Sequence, residues 1–164
     1  MSRVALVCLA IVSVSTLTAD TSSERSRNQQ LHAHHYYLVA RAICSYNEVS
    51  VQGSSNLPPG AMIGVAVAEF KGDAWRYLSS QEYAKVNSNG SFTAQVKSTA
   101  DRFHGSLLAI VEFRPFLAMQ PDAVVRTVGK EGHGLGDVLE NPQVSVVSGD
   151  NRLLQSITRA SCRP

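Results

Sequence analysis

The sequence predicts an all-β fold, an antiparallel β-sandwich of about seven strands, and three observations carry that expectation. Apolar and polar residues alternate with period two through most of the chain from Ile43 onward. Clusters of Gly, Pro, Asn and Ser interrupt the alternation at roughly the 8–12-residue spacing of sandwich strands. After the first 20 residues no stretch has the 3.6-residue periodicity of a long amphipathic helix.

The chain begins with a different grammar. Met1-Ser2-Arg3 supplies a positive start, Val4 to Val14 is an uncharged apolar run, and small residues follow up to Ala19. That order predicts a signal peptide over 1–19, with the cut after Ser15 or Ala19. The run is shorter than the roughly 20 residues that a membrane span needs; a retained anchor is the alternative. An exported protein, periplasmic or extracellular, is expected, with no membrane span in the mature chain. Residues 20–42 are assigned to a linker and lead-in segment, and 43–164 to the sandwich. Asp20 to Gln30 has nothing apolar to bury, and Leu31 to Ala42 reads as a short helix or an irregular lead-in strand.

Loss of the leader removes Cys8 and leaves Cys44 near the start of the domain and Cys162 near the end of the chain. In an oxidising compartment an even pair predicts a disulfide. A bridge between cysteines 118 residues apart also predicts that the first and last strands are neighbours.

Val49 to Val51 alternates as a first strand and runs into a loop that ends in Pro58-Pro59-Gly60. Beyond it Ile63, Val65 and Val67 share one face, and Gly64, Ala66, Ala68 and Phe70 share the other. With both faces apolar, this segment should be a central strand covered on both sides. Trp75 to Tyr83 suits a strand interrupted at Ser79-Ser80-Gln81. Tyr83–Val86 and Ser91–Val96 flank Asn87-Ser88-Asn89-Gly90, which predicts a hairpin whose Phe92, Ala94 and Val96 face inward. Asn89-Gly90-Ser91 also matches an N-glycosylation acceptor, although turn chemistry already accounts for these residues.

Ser106 to Arg114 is the strongest later strand. Pro121 followed by Asp122 predicts a short helix over 121–128. Gly129 to Asp137 is a Gly-rich loop, and Val144–Val147 and Arg152–Ile157 form a closing hairpin around Ser148–Asn151.

The formal charge of +2 is spread along the chain without a Lys/Arg block, so nucleic acid and anionic membranes are not expected partners. Catalytic signatures are sparse. There is no G-x-S-x-G elbow, and Lys130 in the Gly-rich loop is followed by Glu131, not the Ser or Thr of a phosphate loop. No cofactor is expected. Asp101 and His104 share a loop, which by itself carries no catalytic geometry. His32, His34 and His35 are candidate metal ligands, because imidazoles two apart on an extended segment face the same way. Trp75, Tyr77 and Tyr83 are candidate binding residues, aromatics close enough in sequence to form a platform.

V-S-V-Q-G-S-S-N-L-P-P-G-A-M-I-G-V-A-V, N-S-N-G-S-F-T-A and L-L-A-I-V-E-F together resemble bacterial exported immunoglobulin-like β-sandwich domains, from Val49 to about Phe113. The resemblance implies an immunoglobulin-like sandwich and transfers no catalytic residue. The function expected from these readings is a non-enzymatic binding or structural module of the envelope or extracellular space, with a protein or glycan as ligand. The alternative is a small secreted enzyme or metal-binding protein that uses the histidine segment.

Overall fold

The computed structural model describes residues 35–162 except 46, 72–73, 100–102 and 104. Among them are nine strands, more than the expected seven. They are β1 (Leu38–Cys44), β2 (Glu48–Ser55), β3 (Met62–Lys71), β4 (Ala74–Tyr77), β5 (Glu82–Lys85), β6 (Ser91–Lys97), β7 (Gly105–Phe113), β8 (Val144–Val146) and β9 (Arg152–Cys162). One short helix, α1 (Asp122–Val128), falls where Pro121 and Asp122 predict it. The strands form two antiparallel sheets, β1-β2-β6 and a six-stranded sheet ordered β4-β3-β7-β9-β8, in which β5 also pairs with β3. The larger sheet curls into a half barrel.

Two of the surplus strands arise in one place. β4 pairs with Ala68–Lys71 and β5 with Met62–Val65, so they lie end to end along a single edge of β3. The break between them is the expected interruption at Ser79–Gln81. Leu78 N–H donates to Val67 O at 2.8 Å, and Val67 N–H donates to Ser79 Oγ at 2.9 Å. A hydroxyl therefore stands in for the missing ladder partner.

Two turns carry the chain between the sheets, one of them in the segment expected to be a hairpin around Asn87–Gly90. β2 pairs with β1 and β6, whereas β3, reached through the Pro58–Gly60 turn, belongs to the other sheet. The Asn87–Gly90 turn likewise carries the chain from β5 in the large sheet to β6 in the small one. Turn chemistry is local and correctly located; which strand accepts the ladder is decided by packing across the sandwich. The Val144–Asn151–Arg152 segment does form its hairpin, β8 with β9.

The core lies between the sheets. Val49, Val51, Phe92 and Val96 from the small sheet meet Ile63, Val65, Val67, Leu107, Val111, Phe113 and Leu154 from the large one. Each such side chain is worth about 1.5–3 kcal/mol when fully buried. Phe92 faces Gly53 across the β2–β6 ladder, and a Cβ at Gly53 would stand 2.2 Å from the ring, so the glycine makes room for the aromatic. α1 adds Val124 and Val128, one turn apart and buried.

β1 starts at Leu38, inside the segment expected to be a lead-in, and runs beside β9. There the Gln143 side chain acts as a strand partner. Leu38 N–H donates to its Oε1 at 3.0 Å and its Nε2 donates to Leu38 O at 2.6 Å. Cys44 and Cys162 close the far end of this seam as a disulfide, with Cα atoms 4.9 Å apart. The first and last strands are therefore neighbours. Among the described residues no helix is long and apolar enough to cross a membrane.

Candidate functional site

The outer face of the large sheet collects the residues with binding chemistry. On β3 the inward positions Ile63, Val65 and Val67 alternate with outward Gly64, Ala66, Ala68 and Phe70, and ladder register aligns each outward position with its neighbours. Four rows result. Trp75 stands opposite Phe70. Tyr77, Ala68, Leu108 and Arg159 form the second row. Ala66, Ile110 and Ile157 form the third. Tyr83, Gly64, Glu112 and Gln155 form the fourth.

The first rows are aromatic and open. Phe70 is 61% exposed, Trp75 44% and Tyr77 58%. Phe70 and Trp75 meet edge to face, with centroids 5.5 Å apart and planes at 77°, a favoured aromatic arrangement. They line a groove of about 600 Å³ with Ser106, Leu108, Ile157 and Arg159. No hydrogen bond or ion pair holds the Arg159 side chain among the described residues.

The last row is polar and closed. Glu112 is 6% exposed, and both its carboxylate oxygens are engaged. Gln155 Nε2 donates to Oε1 at 2.6 Å, and Arg114 Nη2 pairs with Oε2 at 2.5 Å. A buried carboxylate needs such partners, since desolvation without them costs several kcal/mol. Arg114 Nε is buried without a partner among the described residues. Glu112 and Arg114 line a pocket of about 260 Å³ with Ala66, Tyr77, Ser79, Gln81 and Ile110. Gln81 lies across Gly64, where a Cβ would come within 2.2 Å of its Nε2, and it accepts a hydrogen bond from Tyr83 Oη at 3.3 Å.

Of the three aromatics singled out in the sequence, Trp75 and Tyr77 come together at consecutive outward positions of β4. Tyr83 shares their face but stands three rows from Trp75, about 20 Å at the usual strand rise. Sequence reasoning missed Phe70, Leu108, Ile157, Arg159, Glu112, Arg114 and Gln155. The available signal was parity: Glu112 and Arg114 occupy the outward phase of an otherwise apolar strand.

His32 and His34 fall outside the described residues, as do Asp101 and His104. His35 is exposed, and its carbonyl accepts from Asn56 Nδ2 at 3.0 Å. Among the described residues no group of three His, Cys, Asp or Glu side chains could hold a metal ion. Asn89 behaves as a turn residue, its Oδ1 accepting from Ser91 N–H at 3.0 Å and Ser91 Oγ at 2.7 Å.

No protein-family model matches the sequence, and no curated protein matches it significantly.

Proposed function

We propose that this protein is a non-enzymatic binding module that acts in the envelope or extracellular space and presents the outer face of its large sheet to a ligand. The observation that carries the reading is the exposed Phe70–Trp75 pair on a groove of about 600 Å³, with exposed Tyr77 next to it on the adjoining pocket. Aromatic rings left open on a rigid sheet next to fixed polar groups are the composition of a recognition surface. Placement outside the reducing cytoplasm is supported by the leader-like residues 1–19 and by the Cys44–Cys162 bridge. We also read the sandwich as immunoglobulin-like, on the strength of two antiparallel sheets exchanged at the Pro58–Gly60 and Asn87–Gly90 turns; the curl of the large sheet is its departure from that plan.

Retention of the purified mature chain on immobilised envelope and extracellular extracts tests the site. The double variant Trp75→Ala/Tyr77→Ala should lose at least about tenfold in retention, as expected for removal of two anchoring aromatics. Equal retention with an unchanged melting temperature would place the ligand site away from this face.

A further inference from the structure

The groove and the polar pocket follow one another along β7 as two successive depressions, together the cleft. Along β7 the outward residues Ser106 and Leu108 line the first depression, and Ile110, Glu112 and Arg114 line the second. From Ser106 to Arg114 the path is about 26 Å at the usual strand rise. Its floor is low because Gly64, Ala66 and Ala68 present almost no side chain, while Tyr77 and Trp75 stand above it on β4. Such a path suits an extended ligand.

Three features narrow its chemistry. Trp75 and Tyr77 are two residues apart on one strand, so their rings offer successive apolar surfaces to the units of a polymer. Ser79 and Gln81, which line the pocket at the far end, carry both donors and acceptors, which suits hydroxyl groups that give and accept hydrogen bonds. The Arg159 guanidinium, beside the aromatics, has no hydrogen-bond or ion-pair partner among the described residues, and Arg114 lines the pocket while holding Glu112. A guanidinium without a partner in an apolar groove matches a carboxylate, to which Arg binds in a bidentate fork.

Resting on the binding role of this face, we propose that the cleft holds an acidic oligosaccharide, its sugar rings stacked on Trp75 and Tyr77 and a uronate carboxylate paired with Arg159. A nucleic acid, with a phosphate on every unit, calls for more cations than these two arginines. A protein partner calls for a surface of about 800 Å² per side rather than a narrow depression.

Trp75 is the chain's one tryptophan, so its emission reports on the cleft directly. The experiment titrates the disulfide-bonded mature protein with uronate-bearing oligosaccharides of four to six units, and with the same sugars after carboxyl reduction to the neutral alcohol. At least one uronate-bearing member should shift the emission saturably and bind at least about tenfold tighter than its reduced form. Arg159→Gln should abolish that preference without moving the melting temperature. If no oligosaccharide binds, if the reduced forms bind equally well, or if Arg159→Gln keeps the preference, the acidic-glycan assignment is overturned. Failure of that assignment is distinguishable from failure of the binding role. A response of Trp75 emission to an acidic peptide or a single-stranded oligonucleotide, with none to sugars, removes the glycan and leaves the face. Envelope retention unaffected by Trp75→Ala/Tyr77→Ala removes the face itself.

Discussion

Gly60 and Gly90 both adopt positive φ, 93° and 80°, yet their surroundings differ. A Cβ at Gly60 would meet nothing closer than Lys85 Cε at 3.7 Å, whereas one at Gly90 would stand 2.5 Å from the backbone oxygen of Ser55. Gly60→Ala should therefore lose about 1 kcal/mol, the backbone strain alone. Gly90→Ala should lose more, about 2–3 kcal/mol, because the strand-end carbonyl must also move. Urea denaturation of the two variants checks the order; equal losses would mean that the contact at Ser55 relaxes freely. At this scale the Pro58-Pro59-Gly60 and Asn89-Gly90 turns were legible, since a residue's φ preference acts over its own neighbours. The pairing of Phe92 with Gly53 was not, because the two lie 39 positions apart in the chain and meet only through strand register.

Side-chain amides finish strands that backbone cannot. Met62 N–H donates to Gln120 Oε1 at 3.0 Å and Gln120 Nε2 donates to Met62 O at 2.8 Å, as Gln143 does for Leu38. Gln120 is itself buried, so its replacement by Leu should strand both backbone groups of Met62 and cost about 1–3 kcal/mol. Urea denaturation gives the loss, and amide exchange should show faster exchange at Met62 than at Val65. An unchanged Met62 rate would show that the ladder does not depend on the amide. Strand phase was readable at this scale: Ile63, Val65 and Val67 inward and Gly64, Ala66, Ala68 and Phe70 outward follow from alternation alone. Strand partners were not, and so the expected hairpin around Asn87–Gly90 became a sheet crossing. The binding face shows the same division, with Trp75 and Tyr77 evident on one short strand but Arg159 brought into the row of Tyr77 by β9.

The disulfide acts on the whole molecule. It ties β1 of the small sheet to β9 of the large one across 118 residues. Removal should cost about 2–4 kcal/mol, with about 4.7 kcal/mol the chain-entropy figure for a loop near 100 residues. The double variant Cys44→Ala/Cys162→Ala should melt well below the oxidised protein and match it once the latter is reduced; a melting temperature insensitive to reduction would mean that the seam holds through Gln143 and packing. The bridge is placed to keep the outer face intact, because β9 carries Ile157 and Arg159 and is anchored at its end by Cys162.

What the amino-acid sequence determined by itself was β structure, strand phase, turn positions and the cysteine pairing, all set by interactions between near neighbours or by simple parity of thiols. Only the tertiary structure decided which sheet each strand joined and which outward residues became one cleft. Those choices depend on burying the inward faces against each other, a condition satisfied by the chain as a whole. Trp75 was therefore visible as an aromatic next to a turn, whereas its place over a groove shared with Arg159 required β3, β4, β7 and β9 to be assembled side by side.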